Sequence, residues 1–251
     1  MAIAFGVDIG GSGVKGAPVD LETGELTADR VKYETPQPST PRAVAKVVAQ
    51  ILTDFGDQAA QVPIGITIPS VVTHGITKTA ANIDKKWENH PARDTLSAAV
   101  GRPITLVNDA DAAGLAEVHY GAARGKMGLV MITTLGTGIG SALIYDGVLI
   151  PNSELGHMEI DGFQAEKRAA ACVRTNEDLS WAAYTKRLQR FYETLEFLFT
   201  PDLFVVGGGV SRNAERFLPA LSLNTPIVPA QLRNDAGIVG AALYAHQRQS
   251  G

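Results

Sequence analysis

The sequence predicts an α/β fold built as two related halves, and three observations lead there. A glycine turn is written twice in the 251 residues: Asp8-Ile9-Gly10-Gly11-Ser12-Gly13-Val14-Lys15-Gly16-Ala17, and, shifted by 125 positions, Leu135-Gly136-Thr137-Gly138-Ile139-Gly140-Ser141-Ala142. Gly11 falls on Gly136, Gly13 on Gly138, Val14 on Ile139 and Ala17 on Ala142. Strand-like apolar runs are followed by helix-like runs in both halves, the pattern of mixed sheets covered by helices. Hydrophobic residues make up 45% and aromatic residues only 6%, so the core is built from Val, Ile, Leu and Ala, as buried sheets usually are.

The elements follow in order. Residues 2–9 read as a strand, then the first glycine turn, then a strand over 14–21. Glu22-Thr23-Gly24-Glu25 is a hairpin turn before a strand at 30–33, and 35–41 is a loop with Pro36, Pro38 and Pro41. Val44, Val47, Val48, Ile51, Leu52 and Phe55 recur at three and four, which describes an amphipathic helix stopped by Gly56. Residues 63–68 form a buried strand, and a polar loop carries Asn82, Lys85, Lys86 and Trp87. A short helix over 93–99 and a strand over 104–107 lead to Asn108-Asp109-Ala110-Asp111, which opens a helix to about His119. The second half starts near Gly121 and repeats strand, turn and strand, with Asp146-Gly147 as a tight hairpin turn. A loop over 151–164 holds Glu154, His157 and Glu159. A long helix spans 179–199, with Trp181, Tyr184, Leu188, Tyr192, Leu195 and Phe199 on one stripe, and Pro201 ends it. A strand over 203–206 runs into Gly207-Gly208-Gly209 and a further helix, and the last helix covers 236–247.

Bulk properties exclude several classes. The net charge of −4 recruits neither nucleic acid nor an acidic membrane, so a polyanionic ligand needs a local basic patch. Cys172 is the only cysteine, which rules out an intrachain disulfide and suits a reducing compartment. The chain opens on its first strand with no leader pattern, and no apolar run nears the roughly 20 residues of a membrane helix. The expectation is a cytoplasmic protein with neither nucleic acid nor membrane as a partner.

The glycine turns read as phosphate cradles. Glycine allows positive φ and close backbone approach, and successive N–H groups form an anion-binding nest. Gly10, Gly11, Ser12, Gly13 and Lys15 make the first such site; Gly136, Thr137 and Gly138 make the second, and Gly208 belongs to a third glycine run. Asp8, a carboxylate just before a phosphate nest, makes sense with Mg²⁺ between the two. A glycine-rich hairpin is the plain alternative for one turn, and the second copy argues against it. Neither turn is a Rossmann or Walker loop, because a strand and not a helix follows. Asp109 ends a strand and begins a helix, a position that points into a cleft between lobes. It is either the general base of a phosphoryl transfer or the N-cap of its helix, a role Asn108 or Asp111 could also fill. Glu154 and His157 offer the mixed acceptors and donors that sugar hydroxyls need, or sit in a solvated loop. One His without further His or Cys nearby is a poor zinc site. Lys85, Lys86, Arg93 and Arg102 around Trp87 are either solvated or touch an extended phosphate, and Arg187 and Arg190 fall on the solvent face of the long helix.

Together these residues resemble the ROK sugar-kinase family, within the actin-like, hexokinase-type ATPase superfamily. Asp8 to Gly16 resembles its first phosphate motif, Leu135 to Ser141 its second, and Gly207 to Gly209 its adenosine-side glycines. Asn108-Asp109 resembles the family's Asn-Asp pair, in which the Asp is the catalytic base, and Glu154-x-x-His157 its sugar-binding segment. The family's cysteine-rich zinc motif is missing here: Met158 to Arg168 contains no cysteine, so no zinc is expected and His157 is left to the sugar. Glu166 falls where the family's second sugar-binding Glu lies. The zinc-free pattern is similar to one subgroup, the polyphosphate glucokinases of actinobacteria, through Asp8 to Gly16, Ala80 to Trp87, Glu154 to Gly162 and Asn234 to Ala242.

The resemblance implies a two-lobed actin-like, ribonuclease H-like ATPase fold. Its lobes would be residues 1–111, with the terminal helix 234–251 packing back onto them, and 112–233. It implies phosphoryl transfer from inorganic polyphosphate, or ATP, to the 6-hydroxyl of glucose, with Mg²⁺, in a homodimer. Asp109 would be the base, and Asn82, Asn108, Glu154, His157 and Glu166 would hold the sugar. The alternatives are an ATP-dependent glucokinase or mannokinase and, from another class, an actin-like assembly ATPase, which would share the turns but lack the sugar-binding pair.

Overall fold

The computed structural model describes residues 2–81 and 83–249. The chain divides into two compact units, Met1–Ala116 with Asp235–Gly251, and Glu117–Asn234.

The first unit runs β1 (Ile3–Ile9), β2 (Gly13–Asp20), β3 (Val31–Glu34), α1 (Pro41–Phe55), α2 (Asp57–Ala60), β4 (Ile64–Ile68), β5 (Val72–Thr73), β6 (Ile76–Thr77), α3 (Ala92–Val100) and β7 (Thr105–Asn108). Helix α4 (Asp109–Tyr120) spans the boundary in sequence. The sheet has the order β3-β2-β1-β4-β7. β1 pairs antiparallel with β2 and parallel with β4, and β4 pairs parallel with β7. Every residue of β4 is buried, which is why it reads as a continuous apolar run instead of alternating. Thr40 caps α1 by accepting the Ala43 N–H (3.3 Å), and Pro41 supplies the pre-set φ of a first helical position. Val44, Val48 and Ile51 then face the core. The last helix, α8 (Ala236–Gln249), returns to this unit, where it packs on β1 and β4.

The second unit contains β8 (Leu129–Leu135), β9 (Ile139–Tyr145), β10 (Val148–Ile150), β11 (Glu159–Ile160), β12 (Phe163–Gln164), α5 (Glu166–Ala169), α6 (Ala171–Asn176), α7 (Trp181–Phe199), β13 (Leu203–Gly207) and β14 (Ile227–Pro229). Its sheet order, β10-β9-β8-β13-β14, copies the first sheet strand for strand and sense for sense. The doubled turn is thus the visible part of a repeated sheet. Ser180 caps α7 through the Ala183 N–H (3.2 Å). Tyr184, Leu188, Phe191, Tyr192 and Leu195 are buried along α7, and burial pushes both tyrosine hydroxyls well up. Among the described residues no helix is long and apolar enough to cross a membrane.

Several segments depart from expectation. After Gly207-Gly208-Gly209 the chain forms a 3-10 stretch, Gly209–Arg216, broken at Asn213 (φ −115°, ψ 27°), and no regular α-helix follows. The loop over 151–164 contains a 3-10 turn at Leu155–His157 and the small β11–β12 hairpin, and α5 and α6 were not anticipated. Around Trp87, the indole and Arg102 take structural roles. Trp87 is fully buried and donates its indole N–H to the Ser39 carbonyl (2.8 Å). Lys85 pairs with Glu88, and Arg102 bonds the carbonyls of Ala59 and Ala60.

Candidate active site

In the first unit the sheet register assembles the site around Asp8. Asp8 lies opposite Lys15 on β2 and opposite Thr67 on β4, so both neighbours share its face. Lys15 Nζ is 3.3 Å from one carboxylate oxygen, and the buried Thr67 hydroxyl donates to the other (2.8 Å). A cross-strand pair of opposite charge is favourable in itself. Gly237, in the first turn of α8, presses against the same carboxylate: a Cβ there would come within 2.9 Å of Asp8 Cγ. The positive end of α8 therefore lies beside Asp8, a setting that favours negative charge.

The two turns differ in size. Ile9 pairs with Val14 around four residues, whereas Leu135 pairs with Ile139 around three. The Gly10 N–H donates to the Gly13 carbonyl (2.9 Å) and the Gly136 N–H to the Gly138 carbonyl (3.0 Å). Thr35 Oγ1 bonds the Gly10 carbonyl (2.5 Å). Gly10, Gly13, Gly136 and Gly138 do not use positive φ, so the expectation on that point is corrected; Gly13 and Gly138 are approached closely by the flexible tips of Lys32 and Glu166. Gly208 does use it, with φ 79° and ψ 176°, a region essentially open to glycine alone. A Cβ at Gly208 would sit 2.3 Å from the Leu135 carbonyl oxygen, so this third glycine run abuts the second turn.

At the start of α4 the capping role falls to Asn108. Its Oδ1 accepts the N–H groups of Ala110 (2.8 Å) and Asp111 (3.1 Å), while its Nδ2 donates to the Ser70 carbonyl (3.1 Å). Asp109, half-buried, accepts the adjacent Ala110 N–H (2.9 Å). Of the two readings of Asp109, the N-cap is the one its neighbour already fulfils.

In the second unit Glu154, His157 and Glu166 come together. His157 Nε2 is 3.6 Å from Glu154 and its Nδ1 is 3.9 Å from Glu166. Ser141 holds the segment to β9, donating to the Ser153 carbonyl (2.7 Å) and accepting the Leu155 N–H (3.0 Å). Gly156 is required between Glu154 and His157, because a Cβ there would lie 2.3 Å from the Ile139 carbonyl. Glu166 opens α5 and reaches the second turn: the Ile139 N–H points to its carboxylate (3.4 Å), which closely approaches Gly138. Burial raises the Glu154 carboxyl above its ordinary range; His157 partly offsets this and the Glu166 charge adds to it.

The described structure thus gathers Asp8, Lys15 and the first turn in one unit, and Glu154, His157, Glu166, Gly208 and the second turn in the other. Asn82 lies outside the described residues. Two residues at these sites were missed. Thr67 is the lone polar side chain in the run Ile64 to Ile68, a signal the sequence did carry. Cys172 donates its N–H to the Gly136 carbonyl (3.0 Å) and its thiol to the Thr137 carbonyl (2.9 Å), and no local pattern marks it as a partner of the turn.

A family model described as "ROK family" matches residues 4–177. The polyphosphate glucokinase of Mycobacterium tuberculosis (strain CDC 1551 / Oshkosh) is 52% identical over 240 residues, covering 95% of this chain and 89% of that protein. Among solved structures, an inorganic polyphosphate/ATP-glucomannokinase from Arthrobacter sp. strain KM matches with a TM-score of 0.94 and 51% identity, covering 99% of this chain and 100% of that one. A ROK family glucokinase from Streptomyces griseus in complex with glucose and AMPPNP matches with a TM-score of 0.84 and 25% identity, covering 98% and 100%. The fold is the actin-like ATPase fold of these sugar kinases. The chain belongs to the ROK family.

Proposed function

We propose that this protein transfers a phosphoryl group from inorganic polyphosphate to the 6-hydroxyl of glucose, giving glucose 6-phosphate. The observation that carries the reading is the 52% identity, over 95% of the chain, to a polyphosphate glucokinase. ATP is the second donor, favoured by the likeness to the Streptomyces griseus glucokinase bound to glucose and AMPPNP. The test is glucose 6-phosphate formation with polyphosphate alone and then with ATP alone. Turnover with both is expected, and activity with ATP only would remove polyphosphate as the donor.

In this reading Asp109 accepts the O6 proton as the new P–O bond forms. The capping role of Asn108 supports it, since Asn108 itself accepts the N–H groups of Ala110 and Asp111 at the helix end. Glu154, His157, Glu166, Asn108 and Asn82 hold the ring hydroxyls. The phosphate role falls on the amides of Gly11, Ser12, Gly13, Thr137 and Gly138, with Lys15 as a cation, because Gly10 and Gly136 turn their N–H groups inward. Gly10, Gly136 and Gly208 shape the turns. Catalysis of this kind is mostly positioning plus charge stabilisation.

Among the described residues no three His, Cys, Asp or Glu side chains gather as a metal cage. Mg²⁺ needs no such cage, since one carboxylate together with substrate phosphates and water satisfies it, and Asp8 at the mouth of the turn fits that donor set. Bound there, Mg²⁺ would neutralise phosphate charge. The family resemblance supports a homodimer, which light scattering in solution would read.

Glu154→Gln tests the sugar site. A carboxyl with a raised folded-state pKa holds its proton more tightly in the folded chain. It therefore costs stability as pH rises from its ordinary value of 4.5 through the raised one. At neutral pH the ligand-free variant is expected to melt above the wild type, with the gap closing below about pH 4. Losing a charged acceptor should also weaken glucose by roughly 10- to 100-fold, read by calorimetry. Unchanged glucose affinity would take Glu154 out of the sugar site.

A further inference from the structure

A pocket of about 360 Å³ opens in the second unit, lined in part by α5, the short helix that also carries Glu166. Arg168 of α5 and Lys186, Arg187 and Arg190 of α7 line it, with Phe163 and Asp161 of the β11–β12 hairpin. Arg190 forks onto Asp161 (2.9 and 2.8 Å), and Arg187 pairs with Glu177 (2.6 Å). The Arg168 guanidinium lies over the half-exposed Phe163 ring at 4.6 Å, and Lys186 is exposed. Arg168, Lys186, Arg187 and Arg190 face the carboxylates of Asp161, Glu177 and Glu193, which leaves a local excess of one positive charge in a chain whose net charge is −4. Lys186 and Arg190 are like charges at i and i+4, an arrangement that works against a helix and calls for a reason outside it.

We infer that this pocket docks the body of an inorganic polyphosphate chain, apart from the turns that hold the transferring end. The inference rests on polyphosphate being a ligand of this protein. A linear polyanion with one charge per residue is held by several converging cations, whereas a single nest suffices for one phosphoryl group. The Arg168 guanidinium can present a fork to a pair of phosphate oxygens, and Lys186 adds a mobile point charge. Asp161 and Glu177 keep Arg190 and Arg187 oriented in the absence of the chain.

The test is the double variant Arg168→Ala/Lys186→Ala, neither residue belonging to the catalytic assignment. With long-chain polyphosphate its KM is expected to rise about tenfold, the loss that goes with two exposed charge contacts. The KM for tripolyphosphate, ATP and glucose should stay at wild-type values. Equilibrium binding of long-chain polyphosphate without glucose should weaken by the same factor, and the difference should shrink in high salt. Equal losses with every donor, or unchanged binding, would overturn the docking site. The binding arm needs no turnover. A wild type that binds polyphosphate through these cations yet reacts only with ATP would sink the donor reading and leave the pocket standing.

Discussion

Asp109→Asn is expected to lower kcat by about 10²- to 10⁴-fold, the range a positioned general base supplies, while glucose still binds. The substitution is nearly isosteric, and the helix end does not depend on the charge. Asn108 accepts the N–H groups of Ala110 and Asp111, and an asparagine oxygen at position 109 can keep the bond from the Ala110 N–H. Loss of turnover is thereby separated from loss of fold. Two measurements decide it: glucose 6-phosphate formation under saturating donor, and the rise in melting temperature that glucose produces. A variant with near wild-type turnover would remove Asp109 from the role of base. A variant that no longer folds is excluded by an unchanged melting temperature in the absence of ligand.

Gly65→Ala is expected to be strongly damaging to the fold. Gly65 lies in the fully buried β4, where a Cβ would be 1.8 Å from the Ala241 carbonyl oxygen of α8. Gly6 on β1 meets Ile238 in the same way, at 1.9 Å. α8 thus lies backbone against backbone on two adjacent strands, and neither side is a flexible side chain that can move aside. Overpacking of a core costs about 1–3 kcal/mol and more where nothing yields. A loss of about 3 kcal/mol or more, or roughly 6–12 °C in melting temperature, is expected. Gly136→Ala is the internal comparison. Its Cβ would meet nothing within 4 Å, and its backbone lies outside the left-handed range, so the melting temperature should barely move. Similar melting temperatures for Gly65→Ala and the wild type would mean that α8 does not press on β4 as described.

The repeat was legible because it rests on local features. A strand ends, a glycine run turns, and a strand returns, all within some fifteen residues of sequence. The same holds for α1, whose apolar spacing from Val44 to Phe55 and stop at Gly56 are local signals, whereas its start at Thr40-Pro41 was read as loop. Glu154 and His157 were legible as a pair for the same reason, being three residues apart. Glu166 was found through resemblance alone, since nothing near it in sequence says that it reaches the Ile139 N–H. The stretch after Gly209 was misread as a regular helix, because the apolar spacing there does not reveal the break at Asn213. Trp87 with Lys85, Lys86, Arg93 and Arg102 looked like one basic surface. The indole is instead buried under the Ser39 carbonyl, and two of the cations have partners close by: Glu88 for Lys85, and the Ala59 and Ala60 carbonyls for Arg102.

The sequence by itself determined the α/β class and the doubled sheet unit, and it nominated the glycine turns as candidate phosphate sites and Asp109 as a candidate base. Each depends on residue types at short, fixed spacing, where backbone geometry leaves few choices. Tertiary structure alone decided what stands beside those residues. Sheet register put Lys15 and Thr67 on either side of Asp8, and hydrogen bonding gave the cap to Asn108 instead of Asp109. Packing brought Cys172 and Gly208 to the second turn and Arg168 to the cations of α7. These are contacts between segments tens of residues apart, fixed by how the elements pack once the apolar faces are buried, and no local spacing records them.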